Sequence, residues 1–331
     1  MKIKKLHIGK NENSLAIMVN NQWIVLKSLL AMFPDDRSDE YAVLTKVSDD
    51  LISFLQRLPN TKEKLISLLP YADTGCAETA EMIEIMPFRP KFFRDFMLYE
   101  RHFINSTRGM VKLSMKRAYP IISAYEKFFR RTFPAFKPAK AYYENPVYYK
   151  GNILSFTCDG ETVTYPQYAT ILDYELELGM IIAKDIINAD EQEGLDAIGA
   201  FCVFNDFTAR NVQYDEMIRT SFGPCKAKDF ASSISNIVVT PDEVLPYLSE
   251  ITTRVYINDK LIATGQANEF THSFGSAVAY ASKGEKVYAG EFMASGTIPN
   301  CCGVENGNLL SRGDTIRLEI DRIGSLTNKV E

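Results

Sequence analysis

The stretch Leu172-Asp173-Tyr174-Glu175-Leu176-Glu177-Leu178 alternates apolar or aromatic residues with acids, and a period of two is the signature of a β-strand. On a strand Asp173, Glu175 and Glu177 share one face, with successive carboxylates roughly 7 Å apart, while Tyr174, Leu176 and Leu178 share the other. The apolar run Met180-Ile181-Ile182-Ala183 follows at once. Either water covers the acidic face, or a cation sits among the acids. Short β-like runs recur through the second half of the chain: YENPVYYKG, FCVFND, SNIVVT, TRVYIND, KLIATG and DTIRLEI. Only two helical patterns interrupt them, DEQEGLDAIGAF and THSFGSAVAYAS. Many strands, glycine turns and few helices favour a mixed, β-rich α+β architecture over a doubly wound sheet.

The first part of the chain has another texture. Short apolar runs (SLAIMV, QWIVL) flank the turn signal Asn20-Asn21, and two helical stretches follow, SDDLISFLQRL and TKEKLISLL. Ser48 and Thr61 are the expected N-caps of those helices. A turn-rich passage with Pro87 and Pro90 marks a boundary. The expected division is a small N-terminal domain over residues 1–90 and a catalytic domain over residues 91–331. FFRDFMLYERHFINSTRGM and AYPIISAYEKFFRRTFPAF read as helices at the start of the second domain.

Composition narrows the class. The chain has 331 residues, 46% apolar and 24% charged, which is ordinary globular material. A net charge of −5 lacks the basic face that nucleic acid requires. No apolar run is long enough to span a membrane, and the start breaks into HIGKNENS before any signal-peptide core. Six cysteines carry no CxxC or zinc-ligand spacing, so reduced thiols and a cytoplasmic location are expected. Cys301-Cys302 read as small buried thiols, and His7 and His272 as structural. No GxGxxG or Walker pattern points to a nucleotide.

Three further segments can serve a cation site. FCVF runs into Asn205-Asp206-Phe207-Thr208-Ala209-Arg210-Asn211-Val212-Gln213, which puts an acid at a strand end. GPCKAKDF is a shaped loop with two lysines, and ASGTIPNCCGVE is a small-residue loop ending in an acid. Glu175, Glu177 and Asp206 offer hard oxygen ligands, suited to Mg²⁺, Mn²⁺ or Ca²⁺.

DYELELGMII, FNDFTARNVQ, GPCKAKDFASSISNIVVTPDEV, ASGTI followed by CCGVENG, and GDTIRLEIDRIGSLTNKV occur in one order over roughly residues 90–330. Together they resemble the catalytic domain of the fumarylacetoacetate hydrolase family. The resemblance implies a rolled mixed β-sheet and a homodimer. It also implies a divalent cation held by Glu175, Glu177 and Asp206, with Asp95 as a further ligand. His102, seven residues after Asp95, corresponds to the family's water-activating histidine, and Glu305 to the acid that orients it, with Glu291 and Glu269 as alternatives. Lys228 matches the family's loop lysine. Gln213, Thr297 and Tyr149 match substrate-contacting residues, and Arg210 joins them as an oxyanion donor. Met97 and Met217 stand where the mammalian-type enzyme has tyrosines, so the pocket differs.

From these parts the expected activity is metal-dependent hydrolysis of a carbon–carbon bond in an acylpyruvate or related β-diketo acid, through His-activated water and a metal-stabilised enolate. Two alternatives stay open. One is an isomerase or decarboxylase of 2-oxo or 2-hydroxy-diene diacids using the same enolate; the other is a non-catalytic keto-acid-binding protein. The expected partner is a small keto acid, with no nucleic acid and no membrane.

Overall fold

The computed structural model describes residues 1–33 and 38–331. Its largest sheet is organised around the strand Leu176–Ile182, which is buried along its whole length because both faces are covered. Leu176, Leu178, Met180 and Ile182 enter one apolar core, and Ile181 enters a second. Antiparallel neighbours flank it, Ile198–Asp206 on one side and Phe292–Ala294 on the other. Beyond Phe292–Ala294 the sheet continues with Phe93–Phe96 in parallel and then Tyr148–Lys150. Beyond Ile198–Asp206 it continues with Ser232–Val239, then Lys2–Gly9, Glu12–Val19 and Gln22–Val25. A second sheet is built from Thr252–Ile257, Lys260–Gln266, Thr315–Ile320 and Gly324–Val330, with Thr162–Val163 in parallel at its edge. The architecture is mixed, sheet-rich α+β.

The N-terminal strands lie in the same sheet as the strands that carry the acids. Lys2 and Ile3 pair with Val239 and Val238. Ile3, Leu15 and Phe54 share one core with Phe93, Phe156, Phe204 and Phe292. Asn20 and Asn21 both take positive φ, the conformation that a two-residue hairpin loop needs at both positions and that asparagine tolerates.

Two helix expectations change. SDDLISFLQRL and TKEKLISLL form a single helix, Leu51–Leu68, capped by Asp50, whose side chain accepts from the Ser53 amide. Ser48 instead follows the helix Asp39–Val47 as its C-cap. Leu51, Phe54, Leu55, Leu58, Thr61, Leu65 and Leu68 make one buried stripe, and burying it unbroken carries the helix through Pro59. Thr61 sits mid-helix, donating to the Arg57 carbonyl. FFRDF is a strand, Phe93–Phe96, and the helix starts only at Glu100, running to Ser114. Phe93 and Phe96 enter opposite cores, an alternation that a helix cannot provide. Tyr119–Phe129 is helical, as expected.

Candidate metal centre and active site

Strand register collects the acids. On the face of the main sheet that carries Ile181, Phe204, Phe93 and Phe292, those rings pack against one another with centroids 5.0–5.7 Å apart. Two residues beyond Phe204 on that face lies Asp206, two beyond Phe93 lies Asp95, and Glu177 lies four before Ile181. Asp95, Glu177 and Asp206 offer oxygens that all lie within 4.8 Å of one another, and all three residues are buried. The acidic face of the opening stretch is therefore not a solvated one. The alternating run itself is interrupted, with Leu172–Asp173 and Leu176–Ile182 as separate strands.

Glu177 accepts from the Gly296 amide at 2.9 Å and lies 3.4 Å from the Thr297 hydroxyl. Gly296 has a φ of +79°, and a Cβ there would lie 2.4 Å from the Phe96 carbonyl oxygen, so glycine is what allows the amide its place. Asp206 Oδ2 accepts from the Tyr149 hydroxyl at 2.8 Å and from Lys228. Asp206 Oδ1 is buried with no hydrogen-bond partner among the described residues. Glu175 accepts from Lys228 and, at 2.6 Å, from Arg210. Arg210 also donates to Asp173 at 2.7 Å and to Gln213 at 2.7 Å.

The charge balance explains the titration of these groups. Burial, then the neighbouring carboxylates, push Glu177 and Asp95 well above the usual carboxylate range. Burial also raises Asp206, with Lys228 opposing it. Burial alone would raise Glu175, but Arg210, Lys228 and His102, in that order, outweigh it and hold Glu175 low. Five buried carboxylates (Asp95, Asp173, Glu175, Glu177 and Asp206) meet two buried cations, Arg210 and Lys228. Hard oxygen donors, one of them unpartnered, and a shortage of positive charge fit a divalent ion of the Mg²⁺ or Mn²⁺ type.

His102 is the buried residue of the helix Glu100–Ser114. Its Nδ1 lies 3.2 Å from Glu305 Oε2 and its Nε2 lies 3.9 Å from Glu175 Oε1. Glu305 rides on the short helix Gly303–Asn306. Asp173 holds the start of that helix, accepting from the Gly303 and Val304 amides at 2.6 and 2.9 Å. Gly109 lets the two helices meet, since a Cβ there would fall 2.0 Å from the Val304 carbonyl oxygen. Glu291 pairs with Arg94, and Glu269 with Arg101, so of the three acids considered for His102 only Glu305 approaches it.

The structure thus gathers Asp95, His102, Tyr149, Glu175, Glu177, Asp206, Arg210, Gln213, Lys228, Thr297 and Glu305 into one linked network. Met97 is half-buried, and Met217 is exposed on the surface. A cleft of about 260 Å³ reaches Lys228, and Lys150 and Lys226 also line it. Sequence reading placed Asp173 on a shared acidic face and missed its hold on the Glu305 turn. It also missed Gly296, although a glycine between Ser295 and Thr297 in a small-residue loop was a signal for close backbone approach. His7 pairs with Asn13 and His272 with the Tyr142 carbonyl, away from this network. All six cysteines are free thiols. Among the described residues no helix is long and apolar enough to cross a membrane.

Comparison with known proteins fits this arrangement. Over 193 residues the chain is 28% identical to oxaloacetate tautomerase YisK of Bacillus subtilis, matching 56% of this chain and 62% of that protein. Over 195 residues it is 26% identical to a homoprotocatechuate catabolism bifunctional isomerase/decarboxylase of Escherichia coli, matching 59% of this chain and 42% of that protein. In both cases the chain spans less than two thirds of the relative's length. Among solved structures, maleylpyruvate hydrolase from Sphingobium sp. SYK-6, in complex with manganese(II) and pyruvate, superposes with a TM-score of 0.66 at 15% identity, over 100% of this chain and 98% of that one. These named proteins include a hydrolase, a tautomerase and an isomerase/decarboxylase. The family model for the fumarylacetoacetate (FAA) hydrolase C-terminal domain matches residues 121–331, and the chain belongs to that family.

Proposed function

We propose that this chain is a divalent-metal-dependent enzyme that hydrolyses a carbon–carbon bond in an acylpyruvate or related β-diketo acid. The observation that supports it most is a buried histidine whose Nδ1 lies 3.2 Å from Glu305 while its Nε2 lies 3.9 Å from Glu175, the acid beside the cluster. Asp95, Glu177 and Asp206, with Glu175 beside them, would hold the cation. When bound, the cation supplies Lewis acidity toward the oxygens of a keto acid. The maleylpyruvate hydrolase with manganese and pyruvate is a precedent for that pairing.

In this reading His102 Nε2 takes a proton from water as the water oxygen adds to the acyl carbonyl. Glu305, 3.2 Å from Nδ1, balances the imidazolium that forms. The oxyanion is met by Lys228, whose ammonium is otherwise shared between Glu175 and Asp206. When the carbon–carbon bond breaks, His102 returns its proton to the departing carbon, leaving a carboxylic acid and a keto acid. Arg210, bound to Asp173, Glu175 and Gln213, fixes Glu175 rather than reaching freely outward. Lys150 and Lys226 in the cleft suit a substrate bearing a carboxylate.

The tautomerase and isomerase/decarboxylase relatives favour one second reading. There the same histidine moves a proton between carbon and oxygen, and no water is added. Purified protein loaded with Mg²⁺ or Mn²⁺ and given acylpyruvates and oxaloacetate separates the two. Release of a carboxylic acid and pyruvate, lost by at least about 100-fold in His102→Ala, supports hydrolysis. Enol–keto exchange or CO₂ alone replaces it with the second reading. Turnover unaffected by His102→Ala defeats both. Cytoplasmic location and a homodimer belong to the same proposal.

A further inference from the structure

The turn that carries Glu305 holds a second donor set, different in kind from the oxygen cluster. A ring nitrogen of His102, the Cys302 sulfur and a Glu305 carboxylate oxygen all lie within 4.8 Å of one another. Two contacts are closer still: Nδ1 to Oε2 is 3.2 Å, and Sγ to Oε2 is 3.3 Å. Around a tetrahedral zinc ion, bonds of about 2.0–2.3 Å space neighbouring donors roughly 3.3–3.7 Å apart. Two of the three donor pairs therefore stand near the edge length of such a site before any ion arrives, the second of them as a hydrogen bond that the Cys302 thiol donates to Glu305. His102 and Cys302 are buried, and the Glu305 side chain is 2% exposed. The approach of Nδ1 to Glu305 is not aligned as a hydrogen bond. His102 Nδ1 is consequently left without a hydrogen-bond partner among the described residues, and Glu305 Oε1, the oxygen turned away from it, has none either, which is costly for groups so deeply buried.

We propose that His102, Cys302 and Glu305 form an inhibitory binding site for a thiophilic divalent ion of the zinc class, separate from the oxygen site of Asp95, Glu177 and Asp206. Ligand softness sorts the ions: a thiolate and an imidazole select zinc, whereas carboxylates alone suit magnesium or manganese. Binding forms metal bonds to Nδ1, Sγ and the carboxylate, and the thiol proton leaves to solvent. A neutral imidazole metallated at Nδ1 carries its proton on Nε2, so the lone pair facing Glu175 is gone. Glu305 is occupied at the same time. The inhibitory consequence rests on the reading of His102 as base, whereas the site itself does not.

The test uses the full chain with its oxygen site first saturated with Mg²⁺. Titration with Zn²⁺, followed by calorimetry, is expected to show one tight equivalent. Co²⁺ is expected to give the near-ultraviolet absorption of a cobalt–thiolate bond. Cys302→Ser removes that absorption and weakens zinc by at least about tenfold, while Cys225→Ser, at an exposed thiol, changes neither. Zinc binding of equal strength in Cys302→Ser, or wild-type cobalt spectra without a thiolate band, overturns the site. Turnover that zinc abolishes in the wild type but spares in Cys302→Ser supports the inhibition. Turnover that persists with zinc bound through Cys302 overturns it. Absence of turnover on every keto acid tried would count against the proposed function, and the titrations would still decide the site.

Discussion

The two ends of one acidic stretch, Asp173 and Glu177, lie four residues apart and have opposite surroundings. Asp173 accepts from Arg210 and from the backbone amides of Tyr174, Gly303 and Val304, a set that satisfies a buried carboxylate and ties three chain segments together. Glu177 accepts from the Gly296 amide but faces Asp95 and Asp206, and its negative charge is opposed on several sides. Both residues are buried. A buried acid with a full set of donors is explained by the fold it holds. A buried acid pressed against others of its sign is explained only by something that binds there. Burial alone does not mark a functional residue, but burial without compensation does.

That contrast can be broken by mutation. The largest effect is expected from Asp173→Ala, which takes one carboxylate partner from the buried Arg210 guanidinium and the acceptor from three amides. Loss of one member of a buried pair lowers stability by about 3–5 kcal/mol, measured by urea unfolding of the metal-free protein. A loss under about 1 kcal/mol would erase the distinction. Glu177→Gln should act in the opposite sense, leaving the metal-free protein as stable or more so by relieving like-charge repulsion, while weakening Mn²⁺ at least about 100-fold by calorimetry. Wild-type protein should gain about 2.7 kcal/mol when the free ion reaches 100 times its Kd, and Glu177→Gln should gain almost nothing at that concentration. An equal gain in both would remove Glu177 from the site.

The smallest effect belongs to a surface pair that serves as control. Arg108 donates to Glu126 at 2.9 Å through both Nε and Nη2, and that bond holds the Glu126 carboxyl below its ordinary range. A carboxyl lowered in the folded state contributes stability that is present above its unfolded value and fades as pH falls through the folded one. The side chains are 30% and 18% exposed, so the contribution is under about 1 kcal/mol. Glu126→Gln should flatten the acid limb of the stability curve by that amount without touching metal affinity.

Much of the candidate site was legible because its parts are local patterns: alternating acids at Glu175 and Glu177, an acid ending an apolar strand at Asp206, a shaped loop at Lys228. The pairing of His102 with Glu305 was reachable only through family likeness, since 203 positions separate them and no spacing rule spans a fold. What remained hidden depends on three-dimensional partners. Asp173 has the same place as Glu177 in the alternation, and its partners in the fold, Arg210 and the Tyr174, Gly303 and Val304 amides, set it apart. FFRDF was misread as helix because five residues carry too little periodicity to separate a doubly buried strand from a helix start. Ser48 was misread as an N-cap because Asp50, two residues on, is an equally good one.

The pairing of Lys2 and Ile3 with Val239 and Val238 bears on how the protein is made. On the ribosome, Ile83–Ile85 is made in time to cover Lys5–His7, but the Lys2–Ile3 end of that hairpin flank stays bare. Its complement is synthesised more than two hundred residues later, roughly 10–50 s at ordinary elongation rates. Until then that flank is open to wrong partners, so nascent chains stalled before Ser232 should be captured by chaperones more readily than those released after Val239.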